Sequence, residues 1–124
     1  MGIEKHAPLV AKGIAAGRVL YGIACMVAPK KMMGPDADGA PGPLIFMVRT
    51  FGVRDVVLGA GTFKAVSEGT EAGRLWTQIS AAADTIDVAN AALFRKELNQ
   101  RGVAATLSLA VPAALGGWWS SRSL

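Results

Sequence analysis

The chain has 124 residues, enough for one domain of about four helices around a single core. Its apolar fraction is 52% and its charged fraction only 18%, a balance that leans towards a membrane rather than a water-facing surface. The net charge of +4 is scattered, with no basic run interleaved with aromatics, which excludes a nucleic-acid face; a single cysteine and a single histidine exclude a disulfide framework, the usual Cys/His metal sites and the usual triads.

The first predicted helix covers 7–29. Pro8 suits a first turn, where its missing N–H would be unpaired anyway, and the apolar run Gly13 to Ala28 is interrupted only by Arg18. A cleaved signal is not expected here. Gly22 stands three before Cys25, where a lipoprotein cleavage site needs a bulky aliphatic, and Arg18 falls inside what would be the apolar core. Residues 30–42, KKMMGPDADGAPG, carry the Gly, Pro and Asp of a loop.

The second predicted helix, 43–66, is mostly apolar, yet Arg49, Arg54 and Asp55 lie inside it and need partners. A polar link follows, in which Glu71 favours the start of the next helix through the dipole. The third helix, 74–94, is Ala-rich without Gly or Pro after Arg74, and carries Asp84, Asp87 and Asn90. Residues 95–101, RKELNQR, read as a charged turn. The fourth helix, 102–119, has no charge, ends in Trp118-Trp119, and should kink at Pro112.

Segments of roughly 18 to 24 residues match a bilayer at about 1.5 Å per residue. The predicted fold is therefore all-α: one domain, 1–124, an up-down-up-down four-helix transmembrane bundle. The rival is a soluble bundle with an apolar ligand site, whose helices should each show a polar face.

In that bundle the segment midpoints fall near Arg18, Arg54 and Asp84, with Asp55 beside Arg54, so four charges share one level. Arg49 lies roughly 7 Å and Asp87 roughly 5 Å from that level towards the same surface, with Asn90 a turn further. Arg49 is then expected to meet Asp87 or Asn90, and Arg18 and Arg54 to meet Asp55 and Asp84. Three arginines balance three aspartates, which matters because a lone charge at bilayer depth costs about 2.5–3.5 kcal/mol. Such a cluster is a proton or ligand site, or else its salt bridges only fix which helix packs where.

Gly13-x-x-x-Gly17 and Ala113-x-x-x-Gly117 would allow close helix approach. Trp76, Trp118 and Trp119 would share the surface carrying both termini as an interfacial belt. Five basic residues at each surface leave the orientation undetermined: Lys5, Lys12, Lys64, Arg74 and Arg122 against Lys30, Lys31, Arg95, Lys96 and Arg101. Gly59-Ala60-Gly61 is not a dinucleotide loop, because Lys64 stands where the third glycine belongs.

The stretch Arg49-x-x-Gly52-x-Arg54-Asp55-x-x-Leu58-Gly59 resembles the signature of a domain-of-unknown-function family of small four-span membrane proteins, itself distantly similar to the DoxX-like membrane proteins. Gly17-Arg18-x-x-x-Gly22, the Ala28-Pro29 ending and Asp84-x-x-Asp87-x-x-Asn90 fit the same pattern. The resemblance covers nearly the whole chain and implies a polytopic membrane protein without an established activity.

The function expected is that of a non-enzymatic, multi-pass protein of the cell (inner) membrane. Its partners would be the lipid bilayer and a second copy or another membrane protein, with no cofactor and no nucleic acid. The cluster Arg18, Arg49, Arg54, Asp55, Asp84, Asp87 and Asn90 would hold the bundle and is the candidate ligand or proton site. The alternative is a small proton-coupled transporter using Asp84 and Asp87, with the arginines tuning them.

Overall fold

The computed structural model describes residues 4–69, 71–93, 96 and 100–124. Five α-helices run in order: α1 (Ala7–Val27), α2 (Pro29–Met33), α3 (Gly42–Ser67), α4 (Glu71–Leu93) and α5 (Gln100–Arg122). Short 3₁₀ turns at Glu4–His6 and Gly34–Ala37 complete the helical content, and the described residues contain no strand. The all-α expectation holds. Most of the predicted turn 95–101 lies outside the described residues.

Local chemistry sets the ends. Pro8 and Pro43 occupy first turns, where no N–H is missed. α1 stops at Val27 because Ala28 precedes Pro29 and takes an extended φ of −134°. The predicted loop 30–42 begins helically, as α2 and the 3₁₀ turn, before reaching α3. α3 closes where Gly69 adopts a φ of +67°, its N–H donating to the Val66 carbonyl at 3.1 Å. α4 then begins at Glu71, three residues earlier than predicted, and α5 continues as α-helix through Pro112.

α1 packs along α3, and α4 along α5; α3 also touches α4, and α1 touches α5. Close contacts give the directions. Gly22 meets Gly52 and Gly59 meets Ala15, while Gly73 meets Val66, Trp76 meets Gly61 and Gly117 meets Ala81. Between α1 and α3, and between α3 and α4, the numbers fall on one helix as they rise on the other. The buried positions follow alternating steps of three and four: Ala15, Arg18, Gly22, Cys25 on α1; Gly52, Asp55, Gly59, Thr62, Val66 on α3; Ala110, Ala114, Gly117, Ser121 on α5. This is the seam of helices packed at a shallow angle.

Small residues line that seam, but not the ones the Gly-x-x-x-Gly motif singled out. A Cβ at Gly13 or Gly17 would meet nothing within 4 Å, whereas one at Gly22 would stand 2.5 Å from the Gly52 carbonyl oxygen, and one at Gly59 would stand 2.6 Å from that of Ala15. Gly117 of the second motif is a close approach, since a Cβ there would stand 2.9 Å from the Ala81 Cβ.

The distribution of side chains is inverted relative to a water-soluble bundle. The buried set is Ala, Gly, Ser, Thr, Cys25, Val66 and three charged residues, Arg18, Asp55 and Asp84; no described Leu, Ile, Phe, Met or Trp is buried. The large apolar side chains point outward on all four long helices, among them Leu20 (68% exposed), Phe46 (68%), Ile86 (59%) and Leu115 (67%). Accessible surface totals 7831 Å², against about 6,300 Å² for a compact soluble monomer of this mass.

The four long helices have 21, 26, 23 and 23 residues. Each reaches at least about 30 Å, the thickness of a hydrocarbon core. By apolarity, α1 alone among the described residues passes as a membrane span, with a mean hydropathy of 1.5 over its best window, of which 28% is buried. Core helices and signal sequences pass the same test.

Candidate functional site

Arg18 stands at the middle of the molecule, 8% exposed, between two aspartates from different helices. Its Nη1 donates to Asp55 Oδ1 of α3 at 3.0 Å, and its Nη2 donates to Asp84 Oδ2 of α4. The seam spacing explains the meeting: Arg18 is four before Gly22, Asp55 is three after Gly52, and the two glycines are in contact. Antiparallel packing at that crossing brings the charged residues together one turn away. Asp55 and Asp84 are 4% and 5% exposed.

A second pair lies nearer the surface. Arg54 Nη2 donates to Asp87 Oδ2 at 2.7 Å, and the Arg54 guanidinium lies 4.8 Å from the Phe51 ring centroid. Its Nε is buried without a hydrogen-bond partner. On the other side of Arg18 the polar seam continues neutrally, with the Thr62 and Ser80 hydroxyls 3.0 Å apart. Thr77, Thr85, Ser120 and Ser121 spend their hydroxyls on carbonyls of their own helices, so these groups are satisfied without water.

The structure brings Arg18, Asp55 and Asp84 together and, beside them, Arg54 and Asp87; Arg54 was expected to meet Asp55 and Asp84, and Arg49 and Asn90 stay outside these ion pairs. Arg18 takes Asp55 and Asp84, as expected. Asp87, expected to meet Arg49, is held by Arg54 instead. Arg49 is exposed and makes no ion pair among the described residues. The reason is rotational: five residues separate Arg49 from Arg54, about 140° around the helix, so both cannot face α4. Asn90 is exposed and reaches the site only as part of the wall of a cavity.

That cavity, about 870 Å³, opens between the helices in the half of the molecule away from the termini. Arg18, Asp55, Asp84, Asp87 and Asn90 form its polar wall. Ile14, Tyr21, Phe51, Leu109 and Pro112 supply apolar surface. Tyr21 and Phe51 meet edge to face, with centroids 6.1 Å apart. These two aromatics and the cavity itself escaped sequence reasoning. A signal was present: Tyr21 is three after Arg18, and Phe51 is three before Arg54 and four before Asp55, spacings that put them on the charged faces.

Compared with known proteins, the chain matches no family model, no characterised protein and no solved structure. Among the described residues no cluster of His, Cys, Asp or Glu has the arrangement of a metal site. Of the three tryptophans, Trp76 packs over Gly61, and Trp118 donates its indole N–H to Thr85 Oγ1 at 3.0 Å rather than leaving it for headgroups.

Proposed function

We propose that the chain is a multi-pass protein of the cell membrane, an up-down-up-down bundle in which α1, α3, α4 and α5 all span the bilayer. It has no enzymatic role; the Arg18–Asp55–Asp84 and Arg54–Asp87 pairs hold its helices together, and its cavity receives a small ligand. The observation that carries this reading is the inverted side-chain distribution. Small residues and the charges of Arg18, Asp55 and Asp84 are buried, while no described Leu, Ile, Phe, Met or Trp is, and large apolar side chains are exposed on every long helix.

Hydropathy averaged over a whole helix understates what lipid would meet. In α3 and α4 five of the polar positions that depress the average, Asp55, Thr62, Thr77, Ser80 and Asp84, are buried, while Arg49, Lys64, Arg74 and Asn90 are exposed towards the helix ends. Arg18 spends both terminal nitrogens on carboxylates, which avoids most of the roughly 2.5–3.5 kcal/mol cost of a lone charge at that depth. Arg49 lies about 10 Å from the start of α3, so its long side chain reaches the headgroup region by snorkelling.

An alkaline carbonate wash tests the reading. The expressed protein should stay in the membrane pellet; release into the supernatant would make it a soluble bundle with an apolar ligand site. A second reading, a proton-coupled carrier using Asp84 and Asp87, is favoured by the position of both residues on the cavity wall. Asp84→Asn separates the two: a folded variant that has lost proton uptake marks a carrier, and a variant that no longer folds marks a structural clamp.

A further inference from the structure

We propose that the cavity binds a monovalent amphipathic ammonium, its charged head at the Asp55, Asp84 and Asp87 wall and its apolar body against Tyr21, Phe51 and Leu109. The proposal rests on the membrane reading above and adds the chemical class of the ligand.

Size comes first. About 870 Å³ lies within the roughly 300–1,000 Å³ of sites that enclose drug-sized molecules. Charge comes next. Among the described residues two guanidiniums, Arg18 and Arg54, pair with three carboxylates, Asp55, Asp84 and Asp87, and Arg49 stands outside the cluster. Each carboxylate uses one oxygen for an arginine; Asp55 Oδ2, Asp84 Oδ1 and Asp87 Oδ1 make no further hydrogen bond among the described residues. All three residues line the cavity.

This wall selects against the other ligand classes. An anion would meet three carboxylates, Asp55, Asp84 and Asp87, against one guanidinium, Arg18, among the described lining residues. A pure hydrocarbon would leave the free carboxylate oxygens desolvated and unpaired, which is costly. A single positive charge would match three cations to the three described carboxylates, and the Tyr21 ring on the same wall is an aromatic partner for an ammonium. The Phe51 ring already carries the Arg54 guanidinium, an instance of the same attraction within the site.

The test is calorimetric titration of the full chain in phosphatidylcholine nanodiscs with benzyltriethylammonium, benzenesulfonate and benzyl alcohol. The ammonium should bind saturably with one site per chain, and the other two should not. Asp84→Asn and Asp87→Asn should each weaken it at least about tenfold, as loss of a close, desolvated charge partner does. Folding of each variant is read from the protection of Cys25 against a thiol reagent; Asp87, in the more exposed pair, serves if Asp84→Asn does not fold. No saturable ammonium binding, equal binding of benzyl alcohol, or an affinity unchanged in a folded variant overturns the proposal. A spin label at Leu20→Cys in a Cys25→Ser background, measured in the same nanodiscs, separates the two claims. A lipid-facing label with no ammonium binding overturns the ligand and leaves the membrane reading; a water-facing label overturns both.

Discussion

Replacing Gly52 by Ala tests the packing of α1 on α3 most sharply. The new methyl carbon would lie 2.5 Å from the Gly22 carbonyl oxygen, 2.9 Å from Cys25 Cβ and 3.0 Å from Met26 Cγ. Ordinary contact between carbon atoms begins near 3.5 Å, so the helices must part by roughly 1 Å at a point one turn from the Arg18–Asp55 pair. Overpacking of this kind costs about 1–3 kcal/mol, and the better helix propensity of Ala returns up to about 1 kcal/mol. With the propensity gain returned in full, a net loss of roughly 0–2 kcal/mol is expected, against a net gain for a glycine that meets nothing. Gly13→Ala is the control, because nothing lies within 4 Å of its new methyl and only the propensity gain remains. Cys25, 1% exposed and the chain's one thiol, reports unfolding through a fluorogenic maleimide, with far-UV circular dichroism as a second trace in non-ionic detergent. Gly52→Ala should melt below the wild type and Gly13→Ala at or above it. Equal melting of the two variants would refute the close crossing.

The arginines should rank by what each leaves behind. Arg18→Met strands two buried carboxylates and should cost about 3–5 kcal/mol or abolish folding. Arg54→Met strands one carboxylate, Asp87, in a pair whose arginine side chain is 39% exposed, and should cost less than Arg18→Met in the same melting assay. Arg49→Met should stay within about 0.5 kcal/mol of wild type. A reversed order would contradict the ion-pair geometry. Leu20→Arg places a charge on the outward face near the middle of α1; in lipid it should cost about 2.5–3.5 kcal/mol and lower membrane-inserted yield. Normal insertion and stability of this variant would place that face in water.

Much of this was legible in the sequence because depth along a helix is simple arithmetic. Counting residues from the segment ends put Arg18, Asp55 and Asp84 at one level, and the structure joins them. Helix boundaries came close for the same reason: Pro29, the Gly34–Gly42 stretch and Gly69 are local signals that need no tertiary information. What failed was rotation. Arg49 and Arg54 are near in depth but face different directions, and nothing in a level diagram separates them. The glycines show the same gap. Gly13-x-x-x-Gly17 has the familiar spacing and faces open space, while Ala15/Gly22 and Gly52/Gly59, each seven apart, form the crossing. Their alternation with Arg18 and Asp55 at steps of three and four was readable, had the small and charged residues been taken as one inward stripe. The cavity was not readable, since it depends on how the helices separate away from the termini.

The central claim is that all four outward faces meet lipid. Spin labels at Leu20→Cys, Val57→Cys, Ile86→Cys and Leu115→Cys, one at a time in a Cys25→Ser background, address it in a bilayer. Each of these positions is more than half exposed and near the middle of its helix. Collision rates with oxygen, which concentrates in lipid, and with a water-soluble nickel chelate give the environment. The account predicts high oxygen and low nickel accessibility at all four sites. High nickel accessibility at any one of them would show that its helix does not face the bilayer core.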